Sequence, residues 1–278
     1  MRERQIERRL HSHPSQDGDG VRISRIHDFG GGLDPFLMLD ELGAERPEDI
    51  GGGFPPHPHR GIQTLTYVLR GGLTHSDHLG HSSSIGAGEA QWMHTGRGIV
   101  HSEMPLTGGD GLHAFQLWLN LAAADKLSAA AYRNVAAAEM PRIRVPAGEL
   151  IALGGDWRLH GEQVTGPLDA LAGDAAVAHL RLSGGAVTLD QAAPTLLVHV
   201  FAGRLQVGDQ VLGRGELARL GSGTRLRLAA DADSEALLLA GTPHGEPIAH
   251  YGPFVMNTRE EIEQTLREYR DGVLTQEA

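Results

Sequence analysis

Glycine interrupts this chain so often that long regular helices have little place in it. Its 38 glycines and 14 prolines separate short runs in which apolar and polar residues alternate. Strict alternation over four to eight residues is the mark of a half-buried β-strand. Residues 63–69 alternate in this way and stop at Arg70-Gly71-Gly72, a hairpin-type turn. Further strand signals fall at 21–26, 35–39, 73–78, 84–88, 90–93, 99–103 and 113–120. Strands and turns at this cadence predict a sandwich or closed barrel.

The rhythm repeats in the second half, with strands expected at 177–182, 195–201, 203–207, 210–212, 217–220, 224–228 and 236–239. A duplicated barrel is therefore expected, with domains at 1–135 and 136–278. The Ala-rich stretch 122–140 reads as an interdomain connection with one helical turn. One helix is legible at the C-terminus. Thr258 is its N-cap, Glu261 completes a capping box, and Ile262, Leu266 and Tyr269 share a face. Gly272 is its stop, and the helix is expected to pack on a barrel wall.

Composition excludes several functions. The absence of cysteine removes disulfides, thiolate ligands and cysteine nucleophiles. A net charge of −11, with no basic stripe, argues against direct nucleic-acid binding. The charged start has no apolar core of a secretory signal, and no run approaches the 18 apolar residues of a membrane span. A cytoplasmic monomer is the expectation.

Eight of the chain's 16 histidines crowd into residues 57–113. His57-Pro58-His59 and His101-Ser102-Glu103 each place two donors at i and i+2. On a strand those positions share one face. Two such strands side by side would aim three imidazoles and one carboxylate at one point. Three neutral nitrogens and one anionic oxygen suit a divalent first-row metal with open positions. Pro58 lacks a backbone donor, so its strand should begin or edge a sheet. Either pair alone would read as surface histidines; the two together favour a metal site.

Other residues near the pairs have two readings. His94 and Arg97 would either orient a ligand or sit as exposed turn residues. Trp92 and Trp118 are expected in the core. His75, His78 and His81 are expected to be solvated loop histidines. His160, His179, His199, His244 and His250 have no partner at ligand spacing and are expected to be structural.

The runs HPHRGIQTLTYVL (57–69) and QWMHTGRGIVHSEMP (91–105) resemble the signature of pirins, a branch of the cupin superfamily. DPFLMLDE (34–41), QLWLN (116–120) and GPFVMNT (252–258) are similar to further pirin blocks. The resemblance implies an all-β bicupin: two stacked cupin (jelly-roll) β-barrels with a short C-terminal α-helix. It implies an iron site in the N-terminal barrel, on His57, His59, His101 and Glu103. It leaves the C-terminal barrel without metal ligands. General cupins place a ligand Glu where Gln63 stands here, and their second motif has Pro and Asn where this chain has Gly96 and Pro105. Glu103 is therefore the expected carboxylate ligand. Fe(II) is the expected ion, with Mn, Co, Ni, Cu or Zn as alternatives.

Bacterial pirins resemble quercetin 2,3-dioxygenases, so the expected partners are a flavonol and O2, with Glu103 as catalytic base. The alternative is a non-catalytic iron- and redox-sensing regulator that binds a transcription factor or metabolic enzyme. The acidic balance fits a protein partner better than DNA. A sugar or small-acid isomerase or sensor is a third use of the scaffold.

Overall fold

The computed structural model describes residues 2–44, 49–106 and 111–276. These form two compact units, neither continuous in sequence. One comprises residues 13–137 and 244–278, the other 1–12 and 138–243. The halves expected at 1–135 and 136–278 thus meet the observed division near its centre, but the two chain ends change sides. The strand Ile6–His11 pairs with Glu216–Leu220 in the second unit, and the C-terminal helix belongs to the first.

In the first unit a seven-stranded sheet runs Ala131–Val135, Ala90–His94, Ile62–Arg70, Leu112–Asn120, Phe36–Ala44, Val21–His27, His13–Asp17. A four-stranded sheet runs Phe54–His59, Ile99–Pro105, Gly72–Asp77, Ser82–Gly86. Among the described residues every pairing between these neighbours is antiparallel. Val21, Ile23, Leu42 and Val68 from the larger sheet pack with Phe54, Leu73 and Ile85 from the smaller. The core therefore lies between two sheets, as in a jelly roll. Phe54–His59 ends the four-strand order, the edge position that its prolines require.

The Ala-rich segment is more structured than its composition suggests. It holds single 3₁₀ turns at Ala123–Asp125 and Ala137–Glu139, with the strand Ala131–Val135 between them. That strand pairs with Ala90–His94, so it completes a sheet rather than merely linking two domains. Sheet pairing has overridden the helix propensity of alanine.

The second unit is built on twelve connected strands around an aliphatic core. Its longest strand, Gly148–Leu159, pairs with four others and carries Leu150, Ala152, Trp157 and Leu159 into that core. His179, on the face of its strand opposite that core, is buried against Glu235 at 2.8 Å, a structural pair.

The helix Arg259–Arg270 bears out its cap. Glu261 N–H donates to Thr258 Oγ1, and the Glu261 carboxylate accepts the Thr258 N–H at 2.8 Å. Ile262 packs with Phe254, Met256 and Leu274, and Leu266 lies partly buried against them. Tyr269 is 45% exposed but sets its ring edge-on to Phe254, 5.9 Å away. No helix among the described residues is long and apolar enough to cross a membrane.

Candidate metal centre

The two donor pairs meet on adjacent strands. His57 and His101 are direct Cα partners across the ladder, and His59 lies opposite Ile99. One ring nitrogen from each of His57, His59 and His101 falls within 4.8 Å of the others. The ring centroids of His57 and His101 are 4.4 Å apart.

The far side of two of these rings is fixed by main chain. His57 Nδ1 lies 2.8 Å from Pro55 O, and His59 Nδ1 lies 3.3 Å from Pro253 O. A carbonyl only accepts, so both Nδ1 atoms carry the proton and both Nε2 atoms offer a lone pair. Backbone carbonyls commonly fix metal-ligating histidines in this way. His101 differs: it is 1% exposed, and neither ring nitrogen has a hydrogen-bond partner among the described residues. A buried imidazole left so is costly unless something binds it. Burial, reinforced by neighbouring His57, pushes the His59 imidazole down to about 3. Burial also pushes His101 well below its usual range, with His59, His57 and His75 adding to the effect. Both rings are therefore neutral at ordinary pH, the form that binds a metal. This donor set fits a divalent ion.

Glu103 stands two residues beyond His101 on the same strand, past a register shift between them. It is 3% exposed. Its Oε2 accepts from Gln116 Nε2 at 2.6 Å and its Oε1 from Thr66 Oγ1 at 3.2 Å. Both donors come from the larger sheet, so Glu103 is held across the barrel interior. The 4.8 Å group holds the three histidines without it.

The structure also sorts the other residues singled out in the sequence. Gln63 bonds His94 Nδ1 at 3.2 Å, and His94 Nε2 bonds Ser128 Oγ at 2.7 Å. His94 thus links a strand to the 3₁₀ segment. Arg97 is half-buried and accepts the Arg60 guanidinium on its main-chain oxygen. Trp118 is buried and sets its ring edge-on to His59 at 5.1 Å, while Trp92 is half-buried. His78 and His81 are exposed as expected.

His75 is not a loop residue: it is 2% exposed on Gly72–Asp77, its ring 4.9 Å from His101. The strand's own alternation carried the signal. Leu73, His75 and Asp77 share a face, and Leu73 is a core residue.

His250 is the second residue that sequence reasoning missed. It stacks on Phe29 with centroids 3.7 Å apart and planes within 3°. Together they wall a cavity of about 860 Å³ onto which His57, His59, Gln116 and Trp118 also open. Arg25 lies on the same cavity, clamped by Asp40 at 2.6 Å and Asp17 at 2.6 Å.

The C-terminal segment props the centre from behind. Val255 N–H donates to Arg60 O, and Lys126 donates to Gly61 O, Asn120 Oδ1 and Val255 O. Gly61 sits at φ +81°, where an added Cβ would meet Val255 O at 2.0 Å. Only glycine allows that approach. Burial pushes the Lys126 ammonium down to about 8. Replacing Lys126 with Met removes the donor shared by three acceptors, leaving Gly61 O only the 3.4 Å contact from Leu121 N–H. At about 1–3 kcal/mol for each buried polar group left unsatisfied, urea or thermal denaturation should show a loss of several kcal/mol. An unchanged midpoint would show that the clamp carries no stability.

Two antiparallel sheets with an inward histidine cluster, followed by a second β unit, define a bicupin with its candidate metal centre in the first. The family described as Pirin matches residues 21–119, and the Pirin C-terminal cupin domain matches 177–275. The chain belongs to the pirin family. It is 41% identical to a Vibrio cholerae protein named "Putative quercetin 2,3-dioxygenase", over 98% of each chain. It is 34% identical to human Pirin, covering 94% of this chain and 90% of that one. The crystal structure of a quercetin 2,3-dioxygenase from Acinetobacter baumannii superposes with a TM-score of 0.90 at 29% identity, covering 98% of this chain and 99% of that one. An Escherichia coli bacterial pirin, solved in complex with nickel(II), shares the fold with a TM-score of 0.63 at 21% identity, over 84% of this chain and 96% of that one.

Proposed function

We propose that this protein is a dioxygenase that opens the heterocyclic ring of flavonols such as quercetin with O2, releasing carbon monoxide. His57, His59, His101 and Glu103 would hold one divalent ion, Fe(II) by preference. The observation that carries the reading is the juxtaposition of the three-imidazole focus with a roomy, ring-walled cavity. At about 860 Å³, the cavity lies within the range of small-molecule sites. Trp118, Phe29 and His250 present flat faces and edges suited to a planar aromatic substrate. The bound ion would supply a Lewis acid for the substrate oxygen and a redox partner for O2.

The chain's own residues do the rest. Glu103 takes the 3-hydroxyl proton of the flavonol and becomes a neutral acid. Its Oε1, with the longer Thr66 contact, keeps the freer lone pair for that proton. Gln116, which lines the cavity and holds Oε2, fixes the carboxyl group against the substrate. The aromatic and aliphatic walls exclude water from the electron-rich substrate anion.

The test is an air-saturated assay of Fe(II)-loaded protein with quercetin. The flavonol absorbance band should decay with carbon monoxide release, and the metal-free protein should leave it unchanged. No decay above the metal-free control with Fe(II), Mn, Co, Ni or Cu would replace this reading with that of a regulator.

A further inference from the structure

His57 and His59 each have a carbonyl behind the ring, and His101 has none. What stands beside His101 is His75. The two rings lie 4.9 Å apart and inclined at 49°, on neighbouring strands of the four-stranded sheet. His75 is the Cα partner of Glu103, so both side chains share the inward face. It is 2% exposed, and neither of its ring nitrogens has a hydrogen-bond partner among the described residues. Two buried imidazoles, side by side and both unsatisfied, are poor components of a core built only for stability.

We propose that His75 is the positioning residue for His101. Once one His101 nitrogen gives its lone pair to a metal, the other carries the N–H. That N–H needs an acceptor, and a neutral imidazole has one unprotonated nitrogen to offer. The rings make no direct hydrogen bond as they stand, but imidazoles joined by one N–H···N bond have centroids about 5 Å apart, so at 4.9 Å a turn of either ring closes the contact. His75 thereby does for His101 what Pro55 and Pro253 do for the other two rings. It sets the tautomer and holds the ring toward the focus. The inference rests on the metal-centre reading given above and adds a residue to it.

The experiment compares Ni(II) binding by calorimetry in the wild-type protein, His75→Leu and His75→Gln, with Co(II) visible spectra of each. Leu fills much of the space but cannot accept, whereas Gln keeps an acceptor near the same place. His75→Leu should weaken Ni(II) binding about 10–100-fold, the usual cost of losing such a partner. It should also alter the Co(II) d–d bands. His75→Gln should restore most of the affinity. The metal-free His75→Leu protein should melt no lower than wild type, because an unsatisfied buried group has been removed. Wild-type affinity in His75→Leu would overturn the role. So would equal losses in Leu and Gln, since that pattern reports volume rather than hydrogen bonding. A wild-type protein that takes up no Ni(II), Co(II) or Fe(II) would defeat the metal centre itself, an outcome distinct from the other two.

Discussion

Replacing Glu103 with Gln should lower quercetin turnover by about 10²–10⁴-fold, the usual share of a general base, while leaving the fold intact. The stability half of this expectation comes from the two contacts of the carboxylate. Gln116 Nε2 donates to one oxygen, and an amide oxygen there still accepts it, though more weakly than a carboxylate. Thr66 Oγ1 donates to the other, and a hydroxyl can turn to accept from an amide NH₂. Both hydrogen bonds therefore survive in the variant, and the packing volume is unchanged. What is lost is a group able to take a proton, together with the anionic oxygen offered to the ion. Steady-state assays and a thermal melt on the same preparation check both halves. Wild-type turnover in Glu103→Gln would remove Glu103 from the chemistry.

The second large effect is expected from His101→Ala. His101 is the most deeply buried of the three clustered imidazoles. Its loss leaves two ligand nitrogens from Phe54–His59 and breaks the cross-strand geometry. Ni(II) or Fe(II) affinity should fall by more than the 10–100-fold typical of an outer partner. In wild type, an ion at a hundred times its Kd should stabilise the fold by about 2.7 kcal/mol. The variant should show no such rise in melting temperature at the same concentration. Without metal the two proteins should differ less, because the truncation leaves a cavity yet removes two unsatisfied buried nitrogens. A metal-dependent shift that persists in His101→Ala would place the ion elsewhere.

Local pattern explains what was legible in the sequence. Each strand's alternation has a period of two, so residues 63–69 and 113–120 revealed the element, although both strands are buried on both faces rather than half-buried. The same period puts His57 with His59, and His101 with Glu103, on one face of their strands. The C-terminal helix was equally legible, because a capping box lies within four consecutive residues. Where pairing partners lie far apart, sequence gave no guide. Residues 131–135 are a strand only because Ala90–His94 offers them an open edge. Nothing local tells the strand Ile6–His11 to pair with Glu216–Leu220.

The sequence alone determined the all-β class, the duplicated barrel, the four expected ligand positions and the absence of cysteine chemistry. These follow from residue type and from spacings shorter than one strand. Tertiary structure decided what stands behind and around the donors. Pro253 comes from the C-terminal segment to hold His59. Gln116 and Thr66 reach across the barrel to hold Glu103. His75 and His250 join the site through sheet register and ring stacking. Those contacts join residues far apart in the chain, and only the closed fold brings their side chains within hydrogen-bonding or van der Waals distance.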